Sequence, residues 1–600
     1  MAGRWDGFRF WAPMLFIVPL CSWVLYNLII SHINPQVGGN NFNFSKPLVP
    51  RRGTIYCAGG RPVAESVPLW RYFLDPASMS TAKLSKETSI TNIASALGIP
   101  KEQIRRMSNR KAGKGWRHQF LAESDDPNVF SLIVNRKKVA GVAIEDLYRR
   151  RYLCGRTLSH VIGSVNYEGV GSCGIEQRFN SQLRGTPGRI EGFKDAMGRE
   201  IRDRRTTSLN AICGDSVTLT VDANLQYATE AALRWGVAEF GADSGWCIVM
   251  NVKTGAILSI ASLPDFHPEN YGKEEDRVKI NRAMAYNYEP GSVMKVFTAA
   301  AAIEYGRATP NTLVNTDRYD ERYYKLPGDG GHVWPKMMSM KDAIVHSSNI
   351  VMGKLGYDLG PQKIYETYRR FGFGERTGIE LPGEQYGILR RDWQKWDKAS
   401  WSRIPIGQGI SVTAIQLASA FQTLANDGVR MRPHIVESVI DASGRKMYEG
   451  GGIITNSVIK ASTARKVREM MLGVSKYGGT ARRARVKGYS IAGKTGTAQK
   501  ARGGIYLPGL YCATYAGIIP SGLPQTDMDG NVHESDPEVV ILVSLDFEHR
   551  AQYHQGGNSS AVVFRKLAKY TMRYLNVTPD RPDEIDIEDE DDEDYAIFEF

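Results

Sequence analysis

Ser292-Val293-Met294-Lys295, Ser347-Ser348-Asn349 and Lys494-Thr495-Gly496-Thr497 follow one another along this chain of 600 residues. None of these motifs is informative alone, because a serine three places before a lysine also occurs at Ser443 and a second Lys-Thr-Gly begins at Lys253. Their order and wide spacing together predict a serine acyltransferase whose base is a lysine instead of a histidine.

The first motif supplies a nucleophile and its base. Glu289-Pro290-Gly291 predicts a turn, and residues 292–302 predict a helix that begins directly after it. Lys295 is then one turn from Ser292 on the same face, so the two side chains can meet. Burial among the apolar residues that follow would lower the pKa of the lysine and let it accept the serine proton. The alternative is a capping serine and a solvated lysine.

The second motif follows a predicted helix end at residues 340–345. The hydroxyl of Ser347 could relay a proton toward the leaving group, and the amide of Asn349 could bind a substrate carbonyl. A polar loop with a helix cap is the alternative reading of the same residues.

The third motif lies in an apolar run that glycines interrupt, which predicts an edge strand able to pair with an extended peptide. Lys494 and Thr495 would meet a substrate carboxylate, and Gly496 leaves room for a close backbone approach. The amide N–H of Thr497 could join that of Ser292 as an oxyanion hole. Strands predicted at 511–519 and 539–547 argue against a plain hairpin turn.

These residues resemble the serine penicillin-recognising enzymes and, more narrowly, the class B penicillin-binding proteins, which are monofunctional peptidoglycan transpeptidases. The resemblance runs from about Arg51 to about Lys569. It also rests on Arg52-Gly53-Thr54-Ile55, Gly174-Ile175-Glu176, Leu219-Thr220-Val221-Asp222, Phe371-Gly372-Phe373-Gly374, Gly407-Gln408-Gly409 and Gly556-Gly557.

The resemblance implies an α+β transpeptidase fold. A five-stranded antiparallel sheet flanked by helices and a helical subdomain would follow an elongated N-terminal pedestal domain and one transmembrane helix. The catalytic residues it implies are Ser292, Lys295, Ser347, Asn349 and Lys494, and the substrate-binding residues are Thr495, Gly496 and Thr497.

The implied reaction cross-links peptidoglycan stem peptides. Ser292 would attack the bond between the two terminal D-alanines, D-alanine would leave, and an amine from a neighbouring strand would resolve the acyl-enzyme. β-Lactams would acylate Ser292, and no cofactor is needed. Glu289 before Pro290-Gly291, with the stretches 407–413 and 494–500, resembles the septal cell-division branch more than the elongation branch.

The predicted domain order places a membrane anchor first. Residues 10–30 are predominantly apolar, and 21 helical residues span about 31 Å, enough to cross a bilayer. The predicted segments are a cytoplasmic N-terminus (1–9), a transmembrane anchor (10–31), a linker (32–50), a pedestal of the dimerisation type (51–210), a transpeptidase domain (215–575) and an acidic disordered tail (576–600). The expected location is the inner membrane, with the catalytic domain on the periplasmic side.

Charge and layout restrict the partners. The formal charge is +12, but residues 580–600 hold twelve acidic residues and one basic residue, so the remainder carries +23. A basic exterior could attract anionic wall polymers or lipid headgroups, and the anchor argues against nucleic acid. No stretch remains for a glycosyltransferase domain, so the family implies a separate multi-pass membrane glycosyltransferase, together with division proteins.

The cysteines and histidines carry no metal-site signal. Seven cysteines occur, six of them outside the predicted anchor, and six allow 15 pairings among which the sequence cannot choose. No Cys/His group has the spacing of zinc ligands, which predicts that no metal is bound.

Three other functions stay open. A D,D-carboxypeptidase or β-lactamase of the same superfamily would need a base that activates water for deacylation, and the sequence identifies none. A β-lactam-sensing signalling protein would need a cytoplasmic effector, and a non-catalytic division scaffold would not need the intact motifs.

Overall fold

The computed structural model describes residues 19–27, 43–109, 118–135, 137–194, 200–503, 505–527 and 529–584. Two compact units divide the chain: a smaller one of residues 1–51, 68–148 and 185–214, and a larger one of residues 52–67, 149–184 and 215–600. The domain boundaries drawn from the sequence stay predictions.

The larger unit is built on a five-stranded antiparallel sheet. Its strands are β1 (Ser244–Asn251), β2 (Ile257–Leu263), β3 (Ala492–Arg502), β4 (Ile505–Ile519) and β5 (Val539–Phe547). They lie in the order β2-β1-β5-β4-β3. Every residue of β5 is buried, as expected for a continuous apolar run at the centre of a sheet. The predicted sheet is confirmed, and β3, which carries the third motif, is its edge strand.

Six helices define the rest of the site's framework. They are α1 (Ala223–Phe240), α2 (Lys295–Glu304), α3 (Met340–Val345), α4 (Asn349–Leu359), α5 (Ala414–Ala425) and α6 (Ser560–Tyr574). Helices α1 and α6 pack on each other and on the sheet, whereas α5 packs on β1, β4 and β5. The sequence fixes where α5 begins, because Thr413 and Gln416 form a capping box.

Helices α2, α3 and α4 form the predicted helical subdomain, with Pro361–Arg370 and Ala461–Leu472 packed against them. Its core includes the ring of Phe297 on α2, whose centroid lies 4.9 to 5.7 Å from those of Phe371, Phe373 and Phe421. Such aromatic contacts bury large apolar areas and fix α2 against its neighbours.

The remaining elements of the larger unit are short. Its further strands are Ile55–Tyr56, Ser164–Val165, Gly171–Cys173, Ser216–Leu219, Leu313–Asn315, Met337–Ser339, Val429–Met431, Val436–Ile440, Lys446–Glu449, Ile454–Ser457, Gln525–Thr526 and Val532–His533. Its further α-helices are Ser159–Ile162, Gly174–Arg178, Asn180–Leu183, Arg282–Ala285 and Ser400–Arg403. Its 3-10 helices are Ala58–Gly60, Pro268–Lys273, Asp276–Val278, Gly291–Met294, Trp393–Lys395, Ile404–Ile406, Gly473–Ser475, Arg482–Ala484 and Pro582–Glu584.

Two of the family-like motifs meet in a buried ion cluster. The carboxylate of Glu176, which is fully buried, accepts hydrogen bonds of 2.6 Å from both Arg52 and Arg150. A buried carboxylate needs paired charge, and two guanidinium groups supply it here.

The smaller unit has its own sheet and core. Strands Asn43–Leu48, Gly188–Lys194 and Glu200–Leu209 form a three-stranded antiparallel sheet. Helices Pro76–Thr81, Lys86–Leu97, Lys101–Asn109 and Pro127–Val134 surround a second core with strand Gln119–Ser124 and parts of Pro62–Leu74 and Val142–Tyr152.

Several sequence predictions fall on residues that the structure leaves undescribed. Of the predicted anchor 10–31, residues 19–27 are described and helical, and the rest lie outside the described residues, as do 1–9, 32–42 and 585–600. Within the described part of the chain, no helix is both long and apolar enough to span a bilayer. The seven cysteines lie within the described residues, and all are free thiols.

Candidate active site

The nucleophile candidate Ser292 lies in a 3-10 turn, Gly291–Met294, that leads directly into α2. We call this segment the nucleophile turn. The predicted helix over 292–302 is thus confirmed, with a tighter first turn. Ser292 is half-buried, while Val293 and Met294 beside it are fully buried. The hydroxyl therefore sits at the surface of a rigid, packed turn, where a substrate can reach it.

Lys295, at the start of α2, is fully buried. Its Nζ donates to the backbone oxygen of Ser347 at 2.5 Å and contacts the Ser347 hydroxyl at 3.1 Å. Burial lowers the pKa of Lys295 well below its usual value, and the nearby Lys494 lowers it further, whereas Asp329 raises it. A neutral amine, which can accept a proton, is the form that this environment favours.

The predicted contact between Lys295 and Ser292 stays a prediction. Both residues lie one turn apart on the same face, but the described side chains are not hydrogen-bonded to each other, and the Lys295 amine contacts Ser347. Catalytic hydrogen bonds are often long before substrate binds, so the proton transfer stays a prediction.

Ser347 is the centre of the polar network. Its hydroxyl lies 3.1 Å from the Nζ of Lys295 and 3.0 Å from the Nζ of Lys494, so it bridges the two lysines. Its φ of +61° is left-handed, which is uncommon and strained for a residue other than glycine. This conformation presents both the carbonyl and the hydroxyl of one residue to Lys295, and no local sequence pattern predicted it.

Lys494 reaches Ser347 from the edge strand β3. Its side chain is fully buried, and its Nζ also contacts the backbone oxygen of Thr495 at 3.1 Å. Burial lowers the pKa of Lys494 to about 7. The motif lysine therefore faces Ser347 and the other motifs rather than open solvent.

The other residues of the third motif are held by close contacts. A Cβ on Gly496 would lie 2.6 Å from the backbone oxygen of Pro290, so the close approach that needs this glycine is that of the nucleophile turn. The hydroxyl of Thr497 accepts a hydrogen bond of 3.1 Å from the N–H of Gly556, and that of Thr495 donates to Thr480 at 3.1 Å. The edge strand β3 is thus in close contact with the nucleophile turn at Gly496, where there is no room for a side chain.

Asn349 is engaged by a loop that the sequence analysis did not single out. Its side-chain amide donates to the backbone oxygen of Gly328 at 2.7 Å. The neighbouring Asp329 accepts hydrogen bonds from the N–H groups of Asn349 and Ile350 and from the hydroxyl of Ser348. One carboxylate therefore caps α4 and holds the second motif in place.

Replacing Asp329 by Asn should lower both stability and the acidic limit of activity. We expect a loss of about 1–3 kcal/mol, since an amide cannot accept all of these hydrogen bonds. The acidic limb of the pH–rate profile for acylation should move to lower pH, because the Asp329 charge raises the pKa of Lys295. Asp317→Asn on the same loop, an exposed position, should change neither quantity. An unmoved acidic limb in Asp329→Asn would contradict this reasoning.

Gly407 supports the nucleophile turn from the opposite side. Its carbonyl accepts the N–H of Gly291 at 3.2 Å, and a Cβ at Gly407 would lie 2.0 Å from the Gly291 oxygen. Gly407 has a φ of +84°. The family-like stretch 407–409 thus serves the turn that holds Ser292.

Replacing Gly407 by Ala is expected to slow acylation by about 10²-fold, because it displaces the nucleophile turn. Gly409→Ala is the matched control, since Gly409 also has a positive φ (+74°) but its Cβ would meet only Ile404, at 3.8 Å. The control should lose about 1–2 kcal/mol of stability from backbone strain and keep its acylation rate. Penicillin acylation rates and melting temperatures check both variants, and equal rates in the two would count against the argument.

Glu289 ties two further segments to this turn. Its carboxylate accepts the N–H of Gly409 at 2.8 Å and the hydroxyl of Tyr506 at 3.0 Å. Burial raises the pKa of Glu289 from its usual value. Glu289, on which part of the resemblance to the septal branch rests, thus stabilises the nucleophile turn by joining it to two other segments.

The repeated motifs elsewhere have structural roles. Lys253 lies in the turn between β1 and β2, where Asn251 accepts its N–H at 3.0 Å, as predicted. Ser443 is exposed in a turn and bonds Asp441. Among the described residues, no group of three or more His, Cys, Asp or Glu side chains could hold a metal ion.

Comparisons with known sequences agree with this geometry. Residues 245–569 match the family described as the penicillin binding protein transpeptidase domain, and residues 47–219 match the penicillin-binding protein dimerisation domain. The chain is 33% identical to penicillin-binding protein PbpB of Mycolicibacterium smegmatis over 493 residues, which is 77% of this chain and 70% of the relative. It is 29% identical to peptidoglycan D,D-transpeptidase FtsI of Escherichia coli K12 over 531 residues, covering 88% and 84%.

Solved structures share the fold. Penicillin binding protein 3 of Mycobacterium tuberculosis, in its apo form, has a TM-score of 0.65 at 25% identity and covers 90% of this chain and 99% of its own. A peptidoglycan synthetase from Bifidobacterium adolescentis has a TM-score of 0.71 at 24% identity, covering 90% and 98%, and supports the fold alone. With a transpeptidase match over more than half of its length and a dimerisation domain before it, the chain belongs to the class B penicillin-binding proteins.

Proposed function

We propose that this chain is a peptidoglycan D,D-transpeptidase that cross-links stem peptides through an acyl-enzyme on Ser292. The observation that carries the proposal is the Ser347 hydroxyl, which lies within hydrogen-bond distance of two buried lysines, one of them a single turn from Ser292. A hydroxyl shared between two desolvated amines is suited to lysine-based acyl transfer, in which an adjacent base activates the serine.

In the acylation step, the Ser292 Oγ attacks the carbonyl between the two terminal D-alanines of the donor peptide. The neutral amine of Lys295 takes the serine proton, and the backbone N–H groups of Ser292 and Thr497 stabilise the oxyanion. The new bond is the ester to Ser292, and the bond that breaks is the peptide bond to the last D-alanine.

The leaving amine needs a proton, and Ser347 is placed to deliver it. Protonated Lys295 can pass its proton through the Ser347 hydroxyl, and Lys494 holds that hydroxyl from the other side. In the second step an acceptor amine attacks the ester, and the same groups run the proton transfers in reverse. The donor peptide would pair with the edge strand β3, its carboxylate near Thr495.

The membrane and division assignments are also part of the proposal. The apolar segment 10–31 would anchor the chain in the inner membrane by a single pass, with the catalytic domain in the periplasm. The stretches around Glu289, Gly407 and Lys494 favour the septal branch over elongation. A multi-pass membrane glycosyltransferase and division proteins would be its partners, as the resemblance to the septal branch implies. If cells depleted of this protein grow as filaments, the septal branch is supported, whereas rounded cells would support the elongation branch.

Product analysis with a stem pentapeptide tests the activity. With an acceptor amine, we expect D-alanine release together with a cross-linked product, and prior treatment with penicillin should abolish both. D-alanine release with water as the only acceptor would instead identify a D,D-carboxypeptidase. The carboxylate of Asp329 raises the pKa of Lys295, but its oxygens already accept hydrogen bonds from the start of α4. Asp329 is therefore engaged in a structural role instead of activating water, which favours transfer over hydrolysis.

A further inference from the structure

A basic segment borders the third motif at Thr495. Lys476, Arg482 and Arg483 are exposed, and none has a carboxylate within salt-bridge distance among the described residues. Tyr477 is 87% exposed, and the guanidinium of Arg482 lies 4.8 Å from the centre of its ring. We call residues 476, 477, 482 and 483 the basic rim.

Two contacts fix the basic rim to the substrate edge. Thr480, in the middle of the segment, accepts a hydrogen bond of 3.1 Å from the hydroxyl of Thr495. Its backbone oxygen packs so closely on Gly557 that a Cβ there would lie 2.0 Å away. The segment that carries the rim therefore adjoins Thr495, where the proposed function places the donor carboxylate.

The motif itself supplies little exposed positive charge at this place. Lys494 is fully buried, and its amine is directed to Ser347 and to the backbone oxygen of Thr495. Burial lowers its pKa to about 7, so at neutral pH a good part of its charge is lost. Arginine side chains, in contrast, stay protonated throughout the working pH range.

Resting on the proposed function, we propose that the basic rim is a specificity determinant that draws the terminal carboxylate of the donor peptide toward Thr495. Exposed charges next to a cleft raise the local concentration of an oppositely charged ligand and its capture rate. The guanidinium of Arg482 lies over the exposed ring of Tyr477, and this cation–π contact favours one position of the charge at the rim. The ligand class is a peptide or β-lactam with a free carboxylate.

The test uses two thioester substrates that share the same acyl group. The leaving group of the first ends in a carboxylate, and that of the second ends in a primary amide. The full-length protein and the variant Lys476→Gln/Arg482→Gln/Arg483→Gln are compared at low and high salt. For the carboxylate substrate at low salt, kcat/KM of the triple variant should be about tenfold lower than that of the parent. This difference between the two proteins should shrink at high salt. The amide substrate should react equally with both proteins.

Arg307→Gln is the matched control, since Arg307 is exposed and follows the far end of α2. It should match the parent with both substrates. An equal loss with the carboxylate and amide substrates would show a structural role and overturn the inference, as would unchanged rates in the triple variant. A parent that neither reacts with the thioesters nor binds penicillin would overturn the proposed function as well.

Discussion

Replacing Ser292 by alanine is expected to abolish covalent labelling by a fluorescent penicillin, with a loss of about 10⁴-fold or more in acylation rate. The reason is that the hydroxyl is the atom that forms the bond, and no neighbouring group can substitute for it. Ser347 also carries a hydroxyl, but its oxygen is held between Lys295 and Lys494. The measurement is labelling of the purified, full-length protein over time, with the label quantified on a gel.

Ser443→Ala is the matched control for this experiment. Ser443 also lies three residues before a lysine, but it is exposed in the turn between the strands Val436–Ile440 and Lys446–Glu449. This variant should label like the parent, and Ser292→Ala should melt near the parent temperature because its side chain is only half-buried. Persistent labelling of Ser292→Ala would place the nucleophile elsewhere and would sink the proposed mechanism.

Replacing Lys295 by methionine should have two opposite effects, one on rate and one on stability. Acylation should slow by about 10³-fold, since the variant keeps the length of the side chain but loses the general base. Stability at neutral pH should rise, because burial holds the pKa of Lys295 well below its unfolded value of 10.5. At neutral pH the unfolded chain therefore binds a proton on Lys295 that must be released on folding. This release lowers the free energy of unfolding of the parent.

The sign of the pH dependence follows from the same shift. Between the lowered pKa of folded Lys295 and 10.5, the unfolded state binds more protons, so the stability of the parent should rise with pH in this window. Lys295→Met should lack this contribution, and its advantage over the parent should shrink toward pH 10. Denaturant unfolding at several pH values measures it. Lys446→Met, at an exposed lysine paired with Glu449, should show neither effect.

A stability difference between parent and variant that stays constant across this pH window would argue that Lys295 is charged in the folded protein. In that state it would act as a structural cation held by Ser347 and could not serve as the base. The combined measurement therefore separates the two roles of this lysine, which a rate alone would not do.

Local spacing and apolar runs made much of the fold and site predictable. The turn before Ser292, the helix that carries Lys295, and the buried strand 539–547 are each defined within a few residues of sequence. The same holds for the turn at Lys253, which the neighbouring strand-like runs identified as structural. Each of these depends on backbone preferences and hydrophobic periodicity, which act over short distances along the chain.

The sequence by itself determined the family, the edge-strand position of the third motif and the identity of the candidate catalytic residues. Only the tertiary structure decided which groups they touch: that Lys295 binds Ser347, that Asp329 caps α4, that Gly407 braces the nucleophile turn, and that Thr480 joins the basic rim to Thr495. These contacts join residues far apart in the chain, and the left-handed backbone of Ser347 is imposed by packing rather than by its own preference. Short-range rules carry no information about such pairs, so they appear only when the whole core has formed.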